Sequence, residues 1–219
     1  MKLSPITGII LALVCYGIIG YINEFVAQNQ IDHEIDRPPL YDRLHNILPH
    51  ISHWYPDIGL ILFVMYFIIR WGVEYPRVFE NYIWIIVFLF IGRVVIFSLT
   101  QMPPPRDGCS TKEKGDKIRV NVFRKNWVEC LDLMYSGHTF HTILVSLFVL
   151  YIAPNIYEKI LVFACSCVEM LLVIAGRLHY TSDVLVSALI TVLFFFSWPG
   201  IDKIFSYIKL PMIIQHSSQ

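Results

Sequence analysis

Two short stretches of an otherwise apolar chain concentrate the groups that can move protons and break bonds. The first is Cys130-Leu131-Asp132-Leu133-Met134-Tyr135-Ser136-Gly137-His138-Thr139-Phe140-His141. The second is Gly176-Arg177-Leu178-His179-Tyr180-Thr181-Ser182-Asp183. His179 and Asp183 are four residues apart, so on a helix they share a face and touch. A carboxylate on one ring nitrogen fixes the tautomer and leaves the other nitrogen free as a nucleophile. Ser136, together with the amides of a helix start, suits an anion such as phosphate. Gly137 lets the backbone approach that anion closely, and His138 can move a proton to or from an oxygen. These residue types point to phosphoryl transfer by histidine with no metal or other cofactor. The competing reading of His138, His179 and Asp183 is a buried polar network that ties two helices together.

The elements that must position these groups are membrane helices. The chain has 219 residues, of which 56% are hydrophobic and 16% charged, with a mean hydropathy of +0.57. Soluble domains average about 25% charged residues. Seventeen Lys and Arg balance seventeen Asp and Glu, so no global field attracts a polyanion and nucleic acid is not an expected partner. Five Cys do not make a disulfide scaffold in a chain of this length. A crossing needs about 20 mostly apolar residues, and the apolar runs predict spans at about 3–23, 56–72, 81–99, 134–153, 158–176 and 183–201. The first is read as an anchor rather than a signal peptide, since no clear small-residue cleavage site follows it. The expectation is therefore all-α: a polytopic membrane protein with 1–219 as one domain, a bundle of six transmembrane helices. Six crossings put both termini on one face, with Arg70, Arg77 and Lys159 in the short turns there, which favours cytosolic termini. The two reactive stretches then share the opposite face.

Ser136-Gly137-His138-Thr139, followed by His179-Tyr180-Thr181, Asp183 and Val184, resembles the sphingomyelin synthase family of the type-2 phosphatidic acid phosphatase superfamily. That family's third motif reads Cys-Gly-Asp-x-x-x-Ser-Gly-His-Thr. Cys130, Asp132, Ser136, Gly137, His138 and Thr139 match it, with Leu131 where Gly is usual. Arg37-Pro38-Pro39-Leu40-Tyr41-Asp42 is similar to the first motif, and Leu99 to Pro105 loosely to the end of the second. The resemblance implies transfer of phosphocholine from phosphatidylcholine to the primary hydroxyl of ceramide, giving sphingomyelin and diacylglycerol. It also implies a catalytic set of His138, His179 and Asp183 facing the Golgi lumen or the cell exterior. Related expectations are inositol or ethanolamine phosphorylceramide synthesis, head-group exchange onto diacylglycerol, and lipid phosphate hydrolysis. Against hydrolysis, Tyr135 stands where the phosphatase pattern has Pro, and Val173 where it has Arg. A catalytically silent lipid-binding protein is the rival from another class.

Around this centre the expected substrate-binding residues are Ser136, Gly137, Asp132, Tyr180 and Arg177. Arg177 and Arg93 suit phosphate through the guanidinium fork, although Arg93, in mid-helix, equally suits a paired structural role. His141 lies one turn past His138 but has no third ligand spaced for a metal, so it reads as a structural or supporting residue. Glu169 is expected to pair with Arg93 or to tune the site from below. The basic stretch 106–126 reads as a solvated loop or a head-group contact. Cys109 and Cys130 would share one face and could be bridged, while Cys165 and Cys167 read as packing residues. The expected partners are membrane lipids, a glycerophospholipid donor and a ceramide or diacylglycerol acceptor, with a homo-oligomer left open.

Overall fold

A computed structural model describes residues 4–29, 38–100, 102–105, 133–199 and 201. Among these residues the regular structure is all helical. Helix α1 spans Pro5–Asn29 and the short α2 Arg43–Ile47. Helix α3, Trp54–Phe67, continues into a π-helical turn at Ile68–Gly72. Helix α4 covers Pro76–Leu99, α5 Gly137–Ile152, α6 Ile156–Ala175 and α7 Thr181–Ser197. Asp132, Cys109, Cys130, Leu131, Arg37 and the basic stretch 106–126 lie outside the described residues.

Local chemistry sets where the helices begin. Pro76 opens α4, where its missing N–H costs nothing. The Ser136 hydroxyl accepts the Thr139 amide at 3.2 Å and starts α5. Asn155 accepts the Tyr157 amide at 2.9 Å and starts α6 directly after Pro154. Each cap satisfies an amide that a helix start leaves without a partner.

Helix α5 sits at the centre and touches α3, α4, α6 and α7. Ten of its sixteen residues are buried. Its Phe148 ring meets Phe67 of α3 at 5.7 Å and Phe195 of α7 at 5.2 Å between centroids. Such ring pairs gain from dispersion and quadrupole geometry, which matters where lipid supplies no hydrophobic drive between helices. Helix α1 is the opposite case. It packs on α4, while Ile6, Ile10, Val14, Ile18 and Phe25 stay exposed, as a lipid-facing helix requires.

Among the described residues six long helices stand where six spans were expected, but they are not equivalent. Pro5–Asn23, Trp54–Gly72 and Pro76–Leu99 are long and apolar enough to cross a membrane. Helices α5 and α7 are apolar but only 16 and 17 residues long. At 1.5 Å per residue they reach about 24 and 26 Å, against a hydrocarbon layer of about 30 Å. Helix α6 has 20 residues but carries Glu158, Lys159 and Glu169. The short helices are those that begin at the reactive stretches, where cap residues replace the last apolar turn.

Candidate active site

The site is built where α5 and α7 begin. Its frame is a set of main-chain groups of residues 133–136 strapped to the neighbouring helices. Arg93, buried in α4, donates its Nε–H to the Tyr135 carbonyl at 2.6 Å. The Ser187 hydroxyl of α7 donates to the Ser136 carbonyl at 2.7 Å. The Ser136 amide reaches the Asp183 carbonyl at 3.5 Å, and the Tyr135 hydroxyl donates to the Leu89 carbonyl. Buried main-chain groups are costly if left unpaired, so these bonds hold the α5 N-terminus rigidly between α4 and α7. Arg93 lies directly beneath it: a Cβ built on Gly137 would stand 3.6 Å from an Arg93 terminal nitrogen. A guanidinium and a helix N-terminus together favour an anion at this point.

His179 is buried, at 5% exposure. Its Nδ1 faces the Leu133 carbonyl at 3.3 Å and an Asp183 carboxylate oxygen at 3.7 Å. The expected pairing with Asp183 is thus found at ion-pair distance, but not on a shared helix face. Helix α7 starts at Thr181, so His179 precedes it. The two meet because Asp183 folds back over the helix start and accepts the Tyr180 amide at 3.3 Å. Burial lowers the His179 pKa below its ordinary value, and the Asp183 carboxylate offsets part of that. The neutral imidazole with Nδ1 protonated is therefore favoured, and Nε2 keeps its lone pair.

His138 approaches from α5 and is close enough for its charge to be felt at His179. Its Nε2 lies 3.0 Å from a carboxylate oxygen of Asp57, in the first turn of α3. Asp57 falls inside the expected span 56–72 but carries no motif of its own in the sequence, so nothing there marks it as a partner of His138. Among the described residues, no hydrogen bond reaches His138 Nδ1 or His179 Nε2. Each ring therefore has one anchored nitrogen and one open one.

The remaining expected residues divide by placement. Tyr180 is buried beside the site, but its hydroxyl is committed to main chain. It accepts the Leu40 amide at 2.9 Å and lies 3.0 and 3.2 Å from the Pro103 and Pro104 carbonyls. It thereby draws the 38–42 and 102–105 segments onto the α7 start. Arg177 occupies the left-handed region at φ 53°. It ends α6 in a Schellman turn, in which Leu178 N–H bonds the Val173 carbonyl at 3.2 Å. Its guanidinium donates to the His45 carbonyl of α2. His141 donates Nδ1–H to the Gly137 carbonyl at 2.9 Å and stacks on Phe140 at 4.6 Å. Glu169 turns towards α3: a Cβ on Gly59 would stand 2.1 Å from its Oε2. Among the described residues, no group of three or more His, Cys, Asp or Glu could hold a metal ion.

Two further residues complete the frame. Asp42 accepts the Thr181 amide at 2.6 Å and the Thr181 hydroxyl at 2.8 Å. It also accepts the Leu44 amide at 2.9 Å, so one carboxylate caps α2 and α7 together. Burial works against its charge, but the bonds from Thr181 and His45 win and its pKa is lowered. His45 Nε2 faces the His179 carbonyl at 3.1 Å, and its ring stacks on Tyr180 at 5.6 Å. Asp42 was visible in the first-motif resemblance. His45 had no sequence signal, because its contact spans 134 residues.

Residues 129–199, which hold both reactive stretches, match the family described as PAP2 superfamily C-terminal. The matched region accounts for α5, α6 and α7 with the turn between α6 and α7. Relatives extend the similarity. The chain is 27% identical over 153 residues to "Phosphatidylinositol:ceramide inositolphosphotransferase 3" of Arabidopsis thaliana, covering 62% of this chain and 50% of that protein. It is 34% identical over 131 residues to "Phosphatidylinositol:ceramide inositolphosphotransferase" of Trypanosoma cruzi, covering 55% and 37%. It is 30% identical over 118 residues to "Phosphatidylethanolamine:ceramide ethanolaminephosphotransferase" of Trypanosoma brucei brucei, covering 48% and 35%. The chain thus spans half or less of the length of these relatives. All three are named as sphingolipid phosphotransferases, in keeping with the sphingolipid synthase resemblance.

Proposed function

We propose that this protein is an integral membrane enzyme that transfers a phosphorylated head group from a glycerophospholipid to the primary hydroxyl of ceramide, releasing diacylglycerol. The observation that carries the reading is the pair of imidazoles at one end of the bundle, each with one anchored and one open nitrogen, above the buried Arg93. The names of the relatives favour inositol phosphate or ethanolamine phosphate as the head group over the phosphocholine that the sequence resemblance implied. The six long helices act as six crossings of one domain, with α5 and α7 completed by their polar caps at the exoplasmic face and the termini cytosolic.

The mechanism follows from the open nitrogens. His179 Nε2 attacks phosphorus in line, and the P–O bond to diacylglycerol breaks. His138 gives that oxygen a proton. The ceramide hydroxyl then returns a proton to His138 and attacks phosphorus, and the P–N bond breaks back to His179. Asp183 supports the imidazolium character that develops on His179. Arg93 and the α5 amides, with Ser136 and Gly137 at the turn, hold the phosphate oxygens, and charge stabilisation supplies most of the rate. Asp132 and Arg177 remain candidates for head-group contact.

The test is a transfer assay on the purified chain with fluorescent ceramide and, in turn, phosphatidylinositol, phosphatidylethanolamine and phosphatidylcholine, beside His179→Ala. A ceramide product from an inositol or ethanolamine donor that vanishes in the variant supports the reading. A choline product keeps the mechanism and moves the head group. Transfer only to diacylglycerol identifies the exchange reaction. Phosphate release without an acceptor identifies a phosphatase, and no turnover with any donor overturns enzymatic transfer.

A further inference from the structure

The mechanism above leaves unexplained why a carboxylate sits against the proton-transfer histidine. Asp57 lies in the first turn of an otherwise apolar helix, α3, with its side chain 11% exposed and that of His138 20% exposed. An ionisable group at the head of a membrane helix is expensive and persists when it has a partner and a task. Asp57 meets His138 Nε2 at 3.0 Å, from a position 81 residues away. The other charged and titratable groups around the pair come from every neighbouring element. They are Glu169 on α6, whose charge is felt at Asp57, Arg93 on α4, His141 on α5, and His179 and Asp183 at the start of α7.

A carboxylate that accepts Nε2–H sets the tautomer of the neutral ring and stabilises the imidazolium once the far nitrogen is protonated. The far nitrogen, Nδ1, has no hydrogen-bond partner among the described residues. We propose that Asp57 is the positioning residue for His138, holding Nε2–H so that Nδ1 is the atom that exchanges the proton with substrate oxygens. The inference rests on the head-group transfer reading. In the first half-reaction Nδ1–H of the imidazolium passes its proton to the departing diacylglycerol oxygen. In the second, Nδ1 takes the proton of the ceramide hydroxyl as its oxygen attacks. The Nε2–H bond to Asp57 is kept throughout, and no proton is gained or lost over the cycle. The arrangement mirrors His179, where Nδ1 is anchored and Nε2 is open.

The experiment compares Asp57→Asn, Asp57→Ala, His138→Ala and the Asp57→Ala/His138→Ala double variant of the full chain, using the donor that the wild type accepts. General acid–base help is worth about 100- to 10,000-fold. Losing its orienting charge should lower kcat by about 10- to 100-fold in the isosteric Asp57→Asn, with KM and melting temperature nearly unchanged. Asp57→Ala should cost nothing further once His138 is Ala. A folded Asp57→Asn with wild-type kcat overturns the proposal, as does an equal loss from Asp57→Ala with and without His138. Nitrogen-15 shifts of His138 in the substrate-free protein give a readout independent of turnover: protonated Nε2 is expected, and protonated Nδ1 overturns the proposal. A wild type that moves no head group sinks the transfer reading, while the tautomer still decides the role of Asp57.

Discussion

The two ends of the helix bundle both hold charged side chains, and they use them differently. At the end formed by the π-helical turn and the α6 start, one Glu158 carboxylate oxygen accepts the Tyr66 hydroxyl at 2.5 Å and the Trp71 indole N–H at 3.2 Å. Arg70 stands 3.7 Å away. Arg70 also covers the Trp71 ring at 4.3 Å. Its side chain is 44% exposed, so the group is a half-exposed clasp between α3 with its π-helical turn and α6. At the other end, bonds to main-chain carbonyls hold the frame, and among the described residues two imidazoles keep an open nitrogen each. The first cluster spends its donors on its acceptors, whereas the second is anchored through its neighbours, the arrangement the proposed transfer needs.

The sharpest way to break the comparison is to remove an open nitrogen. His179→Ala and His138→Ala should each lower head-group transfer by about 1,000-fold or more, with little change in melting temperature in detergent. The frame should matter next. Arg93→Lys keeps a cation but loses the Nε–H bond to the Tyr135 carbonyl. A hydrogen bond from a charged group is worth about 1.5–3 kcal/mol, so transfer should fall about 10- to 100-fold, read as kcat/KM. Asp183→Asn probes the field around His179. Burial already lowers that pKa and the Asp183 carboxylate opposes the shift. Removing the carboxylate lowers the pKa further, so the acid limb of the kcat/KM profile should move to lower pH while the maximum falls.

Smaller effects sharpen the contrast. Arg177 holds φ 53°, where a non-glycine residue costs about 1 kcal/mol or more. Arg177→Gly should therefore be more stable than Arg177→Ala by about that amount in denaturation, since both lose the bond to the His45 carbonyl. Glu158→Gln weakens the clasp at the far end. It should lower the melting temperature by a few degrees, about 1 kcal/mol, and leave transfer unchanged.

The sequence showed the site's nucleus more clearly than its support. Ser136 to His138 and His179 to Asp183 were readable because both lie within a few residues and interrupt apolar runs. The long helices were readable from composition, although α1 runs on to Asn29 and α5 and α7 are shorter than their expected spans. Asp57 and His45 were not readable as partners of the histidines, because those contacts close over 81 and 134 residues and follow no helical period. The i,i+4 rule found the right partner for His179 for the wrong reason: the pair is made by a helix cap rather than by a helix face. Arg177 illustrates a limit of residue type. A guanidinium in a phosphate-like motif spends a donor on α2 because the chain needs a left-handed residue there.

The central claim is that His179 carries the head group between two lipids. Its most direct test is rapid-quench labelling with a phospholipid donor labelled in the head-group phosphate, in the absence of ceramide. The wild type should trap label on His179, lose it at the rate of product formation when ceramide is added, and show none in His179→Ala. Full-rate transfer to ceramide with no label on the protein at any time would contradict the account.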